Sequence, residues 1–102
     1  MDNFIENVKK YDAQVDEAAL KKIVNNLRLV MQNADARYVA TSDPKELETV
    51  VKNFCVKKLG VDAEKGKVAV DEVAEQLKDE SRKNRVTFYY LVAKKLNKLA
   101  DV

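Results

Sequence analysis

Apolar residues recur at helical spacing along most of this chain, most clearly between Asp43 and Gly60. Asp43 is a residue type that caps helix starts, and Pro44 suits the first helical position. Glu46 is predicted to complete a capping box by reaching back to the cap. Gly60 supplies a left-handed stop. The apolar positions between them fall on one helix face: Leu47, Val50, Val51, Phe54 and Cys55.

Amphipathic patterns predict four more helices, and with them an all-α fold: a compact bundle of about five helices. Few glycines and a single proline interrupt the chain, and no hairpin signal supports strands. The predicted helices cover residues 3–13, 17 to about 33 after an N-cap at Asp16, a fourth helix that begins beyond Gly66, and 81 or 82 to about 99, with one turn at 34–38.

The fifth predicted helix differs from the others because its apolar positions are nearly continuous from Val86 to Ala93. Successive helical residues lie about 100° apart, so this segment is apolar all round. Such a helix is either central to a bundle or covers a partner with its second face. Phe88, which has no hydroxyl to satisfy, is the expected core residue, and Tyr90 is the expected contact residue.

A weak internal echo at an offset of 50 residues raises the alternative of a two-fold repeat. Asn3-Phe4 matches Asn53-Phe54, and Asp12-Ala13 matches Asp62-Ala63. Helical proteins often share such patterns, so both interpretations stay open.

Length and composition bound the class of protein. A chain of 102 residues is expected to form one domain over residues 1–102. It has no apolar run of the roughly 20 residues that span a bilayer, and its N-terminus does not resemble a secretory signal. The single cysteine, Cys55, fits a reducing compartment. We therefore expect a cytoplasmic protein that does not contact the membrane.

Histidine is absent, which excludes Ser-His-Asp and Cys-His catalysis and most transition-metal sites. Cys55 lies beside the core stripe of its helix and lacks a base, so we interpret it as a small buried hydrophobe. Asp71, Glu75 and Asp79 recur at spacings of four, which a divalent cation could use but which is more typical of a solvated face. An enzyme built on these carboxylates stays open, but we expect no catalytic residue, cofactor or metal.

The net charge of +2 hides an uneven distribution. Residues 81–102 hold six basic side chains and one acidic one, whereas residues 1–80 hold 13 basic and 16 acidic ones. The fifth helix is therefore the electropositive element, and it is expected to contact an anion, a partner or the acidic fourth helix through Glu75, Asp79 or Glu80. The candidate contact residues are Arg82, Lys83, Arg85, Tyr90 and Lys94.

Three sequence blocks resemble a small bacterial family that is defined only as a domain of unknown function. The blocks are Asn33–Ala36, Ser42–Val50 followed by Asn53-Phe54 and Lys57–Gly60, and Ser81–Leu91. The resemblance covers residues 30–95 and implies a short, cytoplasmic, multihelical protein. It implies no activity, ligand or functional residue. The N-terminal segment is only loosely similar.

From these observations we predict a non-enzymatic helical interaction module that self-associates, most simply as a homodimer. A separate protein partner also fits the pattern. The alternative is a module that binds nucleic acid or another polyanion through the cations of the fifth helix. The sequence leaves open the biological role and whether the basic helix is exposed or paired with acidic neighbours.

Overall fold

Helices form nearly all the regular structure of the chain. The computed structural model describes residues 2–102, apart from the side chains of residues 2 and 35. In chain order the elements are α1 (Asp2–Lys9), α2 (Glu17–Asn26), α3 (Arg28–Met31), a 3₁₀ helix (Ala34–Arg37), α4 (Pro44–Thr49) continued by a π-helix (Val50–Lys58), α5 (Ala63–Gln76), α6 (Arg85–Lys95) and a 3₁₀ helix (Leu99–Asp101). With α4 and the π-helix counted as one helix and the one-turn α3 set aside, the predicted five-helix bundle is confirmed.

Local capping chemistry sets the helix ends that the sequence predicts best. The carboxylates of Asp16 and Asp43 accept hydrogen bonds from backbone amides at 3.1 and 3.0 Å, which confirms both N-caps. Gly60 has a φ of 72° and is the predicted left-handed stop. The predicted capping box is wrong, because the Glu46 carboxylate binds Arg85 of α6 instead.

Three predicted helix boundaries are wrong for local reasons. The first helix ends early, at Lys9. The second breaks at Leu27, and only the one-turn α3 follows it. The fourth begins at Ala63 because the Asp62 carboxylate caps its start with a 2.8 Å hydrogen bond. Gly66 therefore lies inside α5 and not before it.

The fifth predicted helix is shorter at both ends than expected. The Val39 amide donates to the Lys83 carbonyl at 2.8 Å, and Tyr38 forms an isolated antiparallel bridge with Asn84, so the chain before α6 is extended. The Asn84 side chain then caps α6 through two backbone amides, at 2.9 and 3.3 Å. At the other end Asn97 adopts a φ of 60°, a left-handed conformation that asparagine tolerates and that stops the helix.

The π-helix brings its apolar positions onto one face. Residues 50, 51, 54, 55 and 59 are buried. At about 100° per residue these positions would spread over half the circumference of an α-helix. At about 80° per residue, with hydrogen bonds to the fifth residue back, they fall within about a third of it. The Leu59 amide accordingly donates to the Phe54 carbonyl at 2.9 Å. The wider winding therefore lets Leu59 join the core.

Helix α6 occupies the centre of the fold, packed against α1, α2 and α5. All eight residues from Val86 to Ala93 are buried. Helix α5 approaches the π-helix at Gly66, where an added Cβ would come within 2.7 Å of Cys55 Cβ. No helix among the described residues is long and apolar enough to cross a bilayer.

The internal echo corresponds to structure in α2 and α5. Ala19, Leu20 and Ile23 of α2 are buried, as are the residues 50 positions later in α5. Leu27 and Leu77, which lie 50 residues apart, end these helices with φ/ψ of −98°/5° and −97°/11°. The N-caps Asp16 and Asp62 do not share that offset, and the segment that matches α1 is π-helical. The correspondence is therefore confined to one helix pair.

Candidate interaction surface

Tyr90, the expected contact residue of the fifth helix, lies in the core of the chain itself. Its side chain is 0% exposed. The hydroxyl donates to Asp12 Oδ2 at 2.8 Å and accepts from the Asp16 amide at 2.8 Å. Burial is the main reason that the pKa of Tyr90 rises to about 12. The prediction that Tyr90 faces a partner is wrong, since the loop between α1 and α2 supplies the polar partners that a buried tyrosine needs.

Lys94 takes part in the same cluster. Its Nζ lies 2.8 Å from Asp12 Oδ1, which also accepts from the Gln14 amide at 3.1 Å. Burial raises the pKa of Asp12, but the hydrogen bonds from Lys94, Tyr90 and Gln14 outweigh it and hold this pKa below its ordinary value. The cluster therefore ties the α1–α2 loop to α6 through an ionised carboxylate.

Arg85 has its anionic partner inside the chain, but not where the sequence predicted it. The guanidinium binds the Glu46 carboxylate and the Ala36 carbonyl, and it donates to the Tyr89 hydroxyl at 3.2 Å. Lys83 donates to the Glu80 carbonyl at 2.7 Å. The partner of Arg85 therefore lies on α4 and not on the acidic fourth predicted helix, because the first turn of α6 lies beside α4 and the 34–37 turn.

Arg82 is a candidate contact residue that lies on the surface, as Lys94 does. Its guanidinium lies 5.7 Å from the centre of the Tyr38 ring, within the range of a cation–π contact. Both side chains are exposed. Contact roles for Arg82, Lys83 and Lys94 stay predictions.

A neighbouring group of exposed apolar side chains was missed by sequence reasoning. Leu29 and Val30 of α3 are exposed, and Arg37 Nε donates to the Met31 carbonyl at 2.8 Å, which places α3 beside the Tyr38 segment. The one signal for it was that Leu29 falls two residues after Leu27, off the apolar stripe of α2. We call the following residues the basic-apolar surface: Arg28, Leu29, Val30, Arg37, Tyr38 and Arg82.

The family model described as a protein of unknown function, DUF2853, matches residues 3–100. This chain belongs to that family. The match confirms the resemblance and extends it over α1, the region where the sequence blocks were weakest. No curated protein matches the chain. Membership of DUF2853 brings no ligand or activity, so inference about function has to come from the geometry.

The groups that could carry chemistry in this DUF2853 member are engaged or buried. Cys55 is 0% exposed, and burial raises the pKa of its thiol to about 11, so it is protonated at neutral pH. Asp71 and Glu75 form ion pairs with Lys67 and Lys78 at 2.7 and 3.0 Å. Among the described residues, no three potential ligands are grouped to hold a metal ion.

Proposed function

We propose that this DUF2853 chain is a non-enzymatic helical module that self-associates in the cytoplasm, and that its copies meet through the basic-apolar surface. The observation that carries the proposal is the exposure of three large apolar side chains in one region: Leu29 is 79% exposed, Val30 40% and Tyr38 37%. Single exposed hydrophobes are ordinary, but neighbouring ones rimmed by charge are typical of interaction sites.

The construction of α3 supports this interpretation. Met31 of this helix packs partly against the core, but Leu29 and Val30 are exposed, so core packing does not account for these two side chains. Hydrogen bonds hold the turn in place, including the one from Arg37 to the Met31 carbonyl. A turn held in this way displays Leu29 and Val30 to solvent, where a partner can cover them.

The cations of the C-terminal region favour self-association over the polyanion alternative. Arg85 pairs with the half-buried carboxylate of Glu46, and Lys94 pairs with the buried carboxylate of Asp12. Phosphate binding would require these pairs to be exchanged. The all-round apolar character of α6, which suggested a contact helix, is accounted for by the neighbouring helices that bury it.

Sedimentation velocity from about 10 μM to about 1 mM tests the proposal, because weak self-association appears as a rise in sedimentation coefficient over this range. Leu29→Ala is expected to weaken association at least about tenfold, as loss of a central apolar contact does. Val56→Ala is the matched control, since Val56 is exposed and apolar but lies outside the surface. A parent chain that stays monomeric at every concentration would contradict the proposal.

A further inference from the structure

The outward face of α5 has an exposed valine surrounded by acidic side chains. Val68 is 57% exposed. Residues three, four and seven positions away share its side of a helix. In α5 most of these positions are acidic and exposed, namely Glu64, Asp71, Glu72 and Glu75, whereas Lys65 brings one positive charge to the same side. We call the four acidic residues and Val68 the acidic face.

The acidic face is not strongly neutralised by its own chain. Three of its carboxylates have lysine partners: Asp71 with Lys67 at 2.7 Å, Glu75 with Lys78 at 3.0 Å and Glu72 with Lys95 at 3.5 Å. The side chains of these three carboxylates are 51%, 72% and 56% exposed, in the same order. Exposed pairs of this kind contribute little to stability, so the carboxylates are free to take better partners.

The basic-apolar surface has the complementary composition. It places three arginines around Leu29, Val30 and Tyr38, whereas the acidic face places four carboxylates around Val68. Arginine is the better partner for a carboxylate, because its planar guanidinium can form two parallel hydrogen bonds where lysine offers a point charge. Opposite surface charges also speed and orient the encounter of two molecules.

We propose that the partner of the basic-apolar surface is the acidic face of a second copy of this chain. The inference builds on the proposed self-association and names the second surface in it. Beside Val68 a depression of about 450 Å³ offers room for the exposed Leu29 side chain, and its lining also includes Ala69, Leu96 and the side chains of Lys65 and Lys95. Each copy carries one surface of each kind, so a dimer in which both contacts form has a two-fold axis.

A charge-reversal exchange tests the pairing. One variant carries Arg28→Glu and Arg82→Glu, and the other carries Glu72→Lys and Glu75→Lys. Each alone should associate at least about tenfold more weakly than the parent, because like charges then face each other. An equimolar mixture should return to within about threefold of the parent, because both contacts of the mixed dimer are again complementary. Glu6→Lys with Glu48→Lys gives the same change of net charge as the acidic-face variant, but away from both surfaces, and should leave association unchanged.

Three results would overturn the inference. If the acidic-face variant associates like the parent while the arginine variant does not, the second surface lies elsewhere and the proposed self-association survives. If the mixture stays as weak as its components, the two surfaces do not meet. If the monomer instead binds vesicles containing phosphatidylserine and the arginine variant does not, the occupant is an anionic lipid surface.

Circular dichroism confirms that every variant keeps the helical content of the parent. Association that weakens as salt rises gives independent support, since salt screens exposed charges within about 10 Å at 0.1 M.

Discussion

Helix α6 and the basic-apolar surface carry their apolar residues in opposite ways. In α6, residues 86–93 are buried by neighbouring helices on every side, although the same run would suit a contact helix. In the basic-apolar surface, three large apolar side chains face solvent, in a region that the sequence predicts as the end of the second helix and the turn that follows it. The density of apolar residues therefore locates the core of this protein and does not locate its exposed apolar side chains.

The polar side chains of the two regions also differ, because those of α6 are paired within the chain and those of the basic-apolar surface are exposed. The polar side chains of α6 bind groups of the same chain, so their charges and hydrogen-bonding groups are already paired. These side chains are Tyr90, Lys94 and Arg85. Arg28 and Arg82 of the basic-apolar surface are exposed. Substitutions in α6 should therefore act on folding, and substitutions in the surface should act on association.

The largest expected effect is that of Phe88→Ala. Phe88 is 0% exposed, and removal of a fully buried aromatic side chain leaves a cavity in the core. We expect the free energy of unfolding to fall by about 3–5 kcal/mol. Urea unfolding followed by circular dichroism measures it. A loss below about 1 kcal/mol would mean that α6 is not central, because ordinary surface changes fall in that range.

Tyr90→Phe should have a smaller effect, because it removes only the hydroxyl that joins Asp12 to the Asp16 amide. We expect a loss of about 1–2 kcal/mol, as when a buried hydrogen-bond partner is deleted. Tyr38→Phe, the same change in the basic-apolar surface, should stay within about 0.5 kcal/mol of the parent. Equal effects in the two variants would contradict the difference between the regions.

The Asp12 cluster should make α6 sensitive to acid. The pKa of Asp12 in the folded chain lies below its ordinary value of 3.8, so ionisation of Asp12 stabilises the fold above that pH. This contribution is lost as the pH falls through the folded pKa. Urea unfolding at neutral pH and at about pH 3 should therefore show a smaller loss of stability for Asp12→Asn than for the parent. An unchanged pH dependence would show that the cluster does not hold the carboxylate ionised.

Leu29→Ala should have the smallest effect on folding. Its side chain is 79% exposed, so we expect the free energy of unfolding to stay within about 0.5 kcal/mol of the parent, with unchanged helical content. Urea unfolding at a concentration where the parent is monomeric provides the measurement. A loss as large as that of Phe88→Ala would mean that Leu29 is covered within its own chain.

Most helices could be predicted because their signals are local. The N-caps Asp16 and Asp43 and the stop at Gly60 act within one turn of the residues that carry them. The stripe of α5 was predicted correctly for the same reason, although its start was placed too late because the capping role of Asp62 was missed. The π-helix was not predicted, since its apolar spacing resembles that of an ordinary helix until Leu59 is included.

The candidate surface was harder to predict, because exposure depends on which helices lie next to one another. The sequence pointed to the basic C-terminal region, and Arg82 of that region does belong to the surface. It also pointed to Tyr90, which neighbouring segments bury. Leu29 and Val30 were predicted to lie in a continuing helix, whereas the structure breaks that helix at Leu27 and places them in a separate turn.

The sequence by itself determined the all-α class, the main caps and stops, and the buried role of Cys55, because each depends on residue type and on neighbours within a turn or two. The tertiary structure alone decided that Glu46 binds Arg85 and that Asp12 binds Tyr90 and Lys94, across 39, 78 and 82 positions of chain. Such pairings follow from the packing of helices. The sequence around a charged residue does not reveal which distant residue the packing brings next to it. For the same reason, only the fold distinguishes the buried apolar run of α6 from the exposed side chains of the basic-apolar surface.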